Sequence, residues 1–223
     1  MKNDLRILRM SPLFKGVKEQ DMEEMISCLN GQVKTYGKNE RILTEAETLK
    51  RVGVILDGCV QVESEDVFGN RNIQEKLERG ELFGAAYAFS GITDSPVSIT
   101  SISESKVLFL EAGRILSVCP TACPFHQKMV ENMVYILARK NVMLSEKIGH
   151  ISKRSTRGKL LSYLSSQSKK AGSRHFFIPF NRQELADYLC VERSAMSAEL
   201  GKMRKEGILE TDKNHFVLKT DLL

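Results

Sequence analysis

A chain of 223 residues with 42% hydrophobic and 27% charged side chains has the composition of a folded globular protein and room for two modest domains. No apolar run reaches the length of a membrane span, and the start, MKNDLRILRM, lacks a signal peptide's apolar core; no membrane partner is expected, and the five cysteines are expected as reduced thiols in the cytoplasm. The net charge of +5 is unevenly placed: from Gly149 to the end there are 14 Lys/Arg against 8 Asp/Glu, whereas the preceding 148 residues hold 19 against 20, so the basic surface that phosphate neutralisation requires sits on the C-terminal third.

In chain order, residues 4 to about 30 read as short helices interrupted by Ser11-Pro12 and Gly16. A β-rich region follows to about residue 111. Its strand candidates include Val52–Val62 (broken at Asp57-Gly58), Val67–Leu77, Val97–Ser103 and Val107–Leu110. Turn residues recur about every ten positions, the signature of a sandwich or jelly roll.

Pro120 and Pro124 mark a break, after which Phe125 to about Ile151 runs without Gly or Pro until Gly149. Val130, Val134, Leu137, Asn141, Leu144, Ile148 and Ile151 are spaced 4-3-4-3-4-3, a heptad seam with one polar member. A single Asn in such a seam fixes register and favours a dimer. Met129, Met133, Ile136 and Met143 form a second stripe suited to packing on the β region. A helix at about Ser155–Ser166 and a polar loop, SQSKKAGSR, come next, then a strand, HFFIPF.

The segment from Asn181 to Met203, NRQELADYLCVERSAMSAELGKM, carries the most functional information. Leu185, Ala186 and Leu189 stripe one helix, and Met196, Leu200 and Met203 a second, with a tight turn between them. Asn181 and Glu184 have the spacing of a capping box. Arg193, Ser194 and Ser197 lie at the start of the second helix, off its apolar stripe. A helix-turn-helix sets these positions against base edges in the major groove. Arg193 can bond guanine bidentately, while Asn181, Arg182, Gln183 and Lys202 suit phosphates. GILETDKNHFVLK then reads as two strands around a turn, completing a winged helix with Lys213 at its tip.

The order of β-roll, long helix and winged helix resembles the CRP/FNR family of bacterial transcription regulators over nearly the whole chain. NRQELADYL with its following helix and EGIL looks like that family's DNA-binding signature; PLF at 12–14 and GELFG at 80–84 resemble its opening and pocket motif. The resemblance implies an α+β protein: a β-roll like a cyclic-nucleotide-binding jelly roll at 1–120, a dimerisation helix at 121–149, and a winged helix-turn-helix at 150–223. It implies a homodimer on double-stranded DNA with a palindromic operator, RNA polymerase as a partner, and a sensor domain answering to an effector.

Departures from the family pattern narrow that effector. Cyclic-AMP binders carry a Glu for the ribose just after the motif of Gly84, where this chain has Ala85. Their Arg turn for the phosphate is replaced by Ser95-Pro96-Val97. A phosphate site without its fixed cation loses its strongest partner, so cyclic AMP is not the expected ligand, and a less charged metabolite fits the Gly84–Val97 region better. Only Cys28 lies in the first fifty residues, which argues against the cysteine-held cluster of the family's oxygen sensors. Cys119 and Cys123 are candidates for a redox effector, Cys59 and Cys190 for the core. His126 and His150 are haem candidates without metal-ligand spacing, and the cofactor is left open. On the recognition helix, Ser194 and Ala198 stand where familiar members have an acid and an Arg, with Glu199 adjacent, implying a different half-site. No nucleophile, base and orienting group form a pattern, so catalysis is not expected. The alternative is a ligand-binding β-roll whose C-terminal module contacts proteins; salt-sensitive DNA binding separates the two.

Overall fold

The computed structural model describes residues 2–44, 48–65, 68–69, 71–117 and 124–219. The chain divides into two compact units, Met1–Asp66 with Gln74–Asn141, and Val67–Ile73 with Val142–Leu223.

The first unit opens with α1 (Lys2–Met10), a 3-10 turn at Pro12–Phe14 and α2 (Glu19–Cys28). Among the described residues eight strands follow: β1 (Gln32–Tyr36), β2 (Arg41–Leu43), β3 (Arg51–Asp57), β4 (Val60–Glu65), β5 (Arg71–Leu77), β6 (Leu82–Phe83), β7 (Ser98–Ser101) and β8 (Ser105–Glu111). They form two four-stranded sheets, ordered β1-β8-β3-β6 and β2-β7-β4-β5. Short helices α3 (Ala85–Ser90) and α4 (Ala112–Leu116) interrupt and close the roll.

Strands β3 and β8 explain the layering. Ile55, Val107 and Phe109 point between the sheets, where they meet Val60, Val62, Phe83 and Ile99. Val52, Val54, Leu56, Leu108 and Leu110 point the other way, into a core shared with Leu13, Phe14, Met22 and Met25. Both faces of β3 and β8 are therefore covered, and these two strands read as nearly continuous apolar runs instead of alternating ones. Gly53 is required where it stands: a Cβ there would lie 2.2 Å from Cζ of Phe83.

The long helix α5 (Pro124–Ile151) contributes Met129, Met133 and Ile136 to the same helical core. Met143 does not join them and is 51% exposed. In the second unit α6 (Thr156–Ala171) is capped by Ser155, whose hydroxyl accepts from the Gly158 amide at 3.0 Å. It runs further than its polar composition suggests, through most of SQSKKAGSR, because Gly172 supplies the left-handed C-cap (φ 59°). Strand β9 (His175–Phe177) pairs with β11 (His215–Leu218), which pairs with β10 (Leu209–Asp212). Between them lie α7 (Arg182–Leu189) and α8 (Arg193–Lys205).

Two cysteines depart from expectation. Cys59 lies in the turn between β3 and β4, half-buried, instead of within a strand. Cys190 is exposed and not core: it ends α7 in the left-handed conformation (φ 51°), which turns its side chain out of the helix pair. Cys119 and Cys123 fall outside the described residues.

Candidate nucleic-acid interface and sensor site

The reader head is built from local signals and one apolar core. Asn181 caps α7 by accepting from the Glu184 amide at 3.0 Å, and the Glu184 carboxylate accepts from the Asn181 amide at 2.8 Å. This reciprocal pair meets two of the donors a helix start leaves unsatisfied. Leu185, Ala186 and Leu189 of α7 and Met196, Leu200 and Met203 of α8 are buried together with Leu160, Tyr163 and Leu164 of α6 and with Phe216 of β11. Burial of Tyr163 and Tyr188 in this core raises both phenols, Tyr188 to about 12.

With that stripe committed to the core, Arg193, Ser194, Ala195, Ser197 and Ala198 of α8 are exposed, as is Lys202 one turn on. Asn181 and Gln183 are exposed at the start of α7, and Gln183 donates to the Asp187 carboxylate at 2.7 Å. Arg182 is differently placed from its neighbours. It is half-buried, with its guanidinium 5.0 Å from the centre of the Phe216 ring and Nη2 donating to Thr211 Oγ1 at 2.5 Å. Desolvation lowers its pKa. Arg182 thus braces α7 against the wing, a packing role that its long apolar stem suits.

Two positioning residues of α6 had no local sequence signal. Lys159 Nζ donates to the carbonyls of Leu189 and Cys190, at 3.2 and 3.0 Å, closing the C-terminal end of α7. Arg157 holds two acids of the recognition segment, Glu199 at 3.4 Å and Glu206 at 3.1 Å. The hydrogen bond to Glu206 raises the Arg157 pKa and lowers that of Glu206. Their partners lie tens of positions away, which no spacing rule reports. The wing turn carries Lys213, exposed and in the left-handed region (φ 49°).

In the roll, Gly84 precedes α3 in the left-handed region (φ 81°), and a Cβ there would lie 2.4 Å from Leu49 Cδ2. Ala85 is buried at the first position of α3. Ser95 is buried too, but its hydroxyl donates to the Val97 carbonyl at 3.0 Å, so the turn satisfies its own donor. Pro96 is exposed and Val97 is buried in the roll core. Of the Gly84–Val97 region, the Ser95 hydroxyl therefore already has a partner. His126 Nε2 lies 3.0 Å from the Arg114 carbonyl and His150 Nδ1 lies 2.8 Å from Ser162 Oγ; burial lowers the His150 pKa.

Along α5 the seam positions separate by environment. Val134, Leu144 and Ile148 are exposed at 62%, 54% and 61%, and Asn141 is exposed beside them. Val130 and Ile151 are partly buried, and Leu137 packs against the helical core of the first unit. No helix among the described residues is long and apolar enough to cross a membrane.

Comparison with known proteins agrees with this layout. Residues 33–121 match the cyclic nucleotide-binding domain family, and residues 158–223 match the Crp-like helix-turn-helix domain family. No curated protein sequence matches significantly. Among solved structures, the c-di-GMP responsive global regulator CLP of Xanthomonas campestris superimposes with a TM-score of 0.73 at 14% identity, covering 91% of this chain and all of that one. A CooA mutant from Carboxydothermus hydrogenoformans gives 0.67 at 20% identity, covering 87% and 86% of the two chains. FixK2 of Bradyrhizobium japonicum gives 0.64 at 16% identity, covering 86% and 93%. With a cyclic-nucleotide-type sensor domain followed by a Crp-like reader, the chain belongs to the CRP/FNR family of DNA-binding transcription regulators and is not an enzyme.

Proposed function

We propose that the protein is a homodimeric, sequence-specific regulator whose roll responds to an effector other than cyclic AMP. The observation that carries the DNA reading is the exposed start of α8, where Arg193, Ser194 and Ser197 stand clear of the buried Met196-Leu200-Met203 stripe. In this reading those three face base edges, and Asn181, Gln183 and Lys202 bond phosphates while Arg182 adds a fixed positive charge behind them. The exposed members of the Val130–Ile151 seam, Val134, Asn141, Leu144 and Ile148, are covered by a second copy, so large apolar side chains on α5 do not remain in water. The functional division is a sensor at 1–120, a dimer helix at 121–149 and a reader at 150–223, acting in the cytoplasm with RNA polymerase.

Selection from a random duplex library tests this reading. It should enrich an imperfect palindrome with half-site centres about one helical turn, ~34 Å, apart. Binding should weaken steeply with salt as counterions are released. A protein that enriches no duplex, or binds without salt dependence, would instead be a ligand-binding roll with a protein-contact module.

The effector reading rests on Ala85 and on the self-satisfied Ser95 turn. Calorimetry with cyclic AMP and cyclic GMP should show no binding tighter than ~1 mM, where the binding free energy is only about −4 kcal/mol. Micromolar binding of either would show that the roll finds a phosphate partner elsewhere. A ligand of lower charge would take its polar contacts mainly from backbone amides after Gly84, because the Ser95 hydroxyl is already bonded.

A further inference from the structure

The recognition helix has an unusual outer face, and the inference drawn from it rests on the DNA-reading role proposed above. At 3.6 residues per turn, the positions opposite the buried Met196, Leu200 and Met203 are Ser194, Ala198, Gly201 and Lys205, flanked by Ala195 and Ser197. From Ser194 to Gly201 no exposed side chain on this face is longer than a serine hydroxymethyl. Glu199, the acid in that stretch, is 17% exposed and tied by Arg157 at 3.4 Å, with Lys202 Nζ at 3.8 Å. It is held against α6, away from the outer face. A carboxylate that accepts from a cytosine amino group is therefore missing from the face that would meet the bases.

Gly201 adds an independent indication. A glycine inside a helix costs about 1 kcal/mol relative to alanine. Here nothing among the described residues requires it, because a Cβ at Gly201 would meet no atom within 4 Å beyond the backbone of its own helix. A glycine without an internal steric reason, on the outer face of a recognition helix, suits close approach of an external body to the backbone. A shallow face of this kind lets α8 sit deep in the groove, and the chemistry it presents there is aliphatic.

We infer that α8 reads the 5-methyl groups of thymines through the Ala198 methyl, next to the guanine bonded by Arg193. Alanine against a thymine methyl is an established apolar contact in the major groove. Each half-site should then contain a thymine whose methyl is buried against Ala198, in place of a pair read by a carboxylate.

The test changes the DNA and leaves the protein intact. Each thymine of the tightest duplex selected from the library is replaced singly by deoxyuridine, which removes only the methyl, and affinity is measured by fluorescence anisotropy at constant salt. Removing one buried methyl should weaken binding about fourfold. Replacement in both half-sites should compound to about fifteenfold. Thymines elsewhere in the duplex should be indifferent. With Ala198→Gly protein, binding to the thymine duplex should fall by a similar factor, and the thymine-to-uracil ratio at that position should collapse to about one. A selected half-site lacking thymine, undiminished binding of a fully uracil-substituted duplex, or a ratio that persists in A198G would each overturn the inference while leaving the regulator reading intact. Failure to enrich any duplex would remove both.

Discussion

A protein carrying Leu144→Asp and Ile148→Asp should run as a monomer by light scattering and lose specific operator binding by a factor on the order of a hundred or more. Leu144 and Ile148 are 54% and 61% exposed on the isolated chain. Covering a side chain of this size contributes about 1.5–3 kcal/mol. A symmetric interface repeats every residue, so the double substitution removes four such contacts and places four carboxylates in one seam. Operator affinity falls with the dimer because the second head no longer binds at the high effective concentration that linkage provides, an advantage of roughly 10²–10⁴. Leu137, also in the heptad, is unsuitable for this test. It packs against the core of the first unit, so an acid there would disturb the sensor as well. A double mutant that stays dimeric would place the interface elsewhere on the molecule.

Arg193→Ala should cost on the order of 1–3 kcal/mol at each half-site of the selected operator and relax preference at one base pair. Arg193 is the first residue of α8 and is exposed. There a guanidinium can present two parallel donors to guanine O6 and N7. Lys202→Ala is the natural comparison, since a phosphate contact weakens binding on all sequences alike and lowers the salt slope by about one. Loss of equal size on operator and random DNA for the Arg193 variant would make it a phosphate contact too, and base reading would rest on the short side chains alone.

Features specified by neighbours in the chain were legible in the sequence. The Asn181–Glu184 capping box, the paired apolar stripes of α7 and α8, and the turn at Lys213 each need only a few consecutive residues, and each is present. The roll was legible as short strands between regular turns, although the two-sided burial of β3 and β8 could only be read as a long apolar run. The length of α6 was not legible, because SQSKKA has no apolar periodicity and the left-handed Gly172 marks where the helix ends. Helix propensity and a C-cap decided that boundary, not hydrophobic pattern.

What the sequence determined by itself is the order of elements and the identity of the reader, because both follow from residue type at a fixed local spacing. Tertiary structure decided which side chains remain available once the chain has packed. It committed Arg182 to Phe216 and Thr211, Glu199 to Arg157, and the Ser95 hydroxyl to Val97, while leaving Cys190, Met143 and four seam residues at the surface. A polar group's capacity for a ligand is whatever its intramolecular partners leave unused, and most of those partners lie far away along the chain.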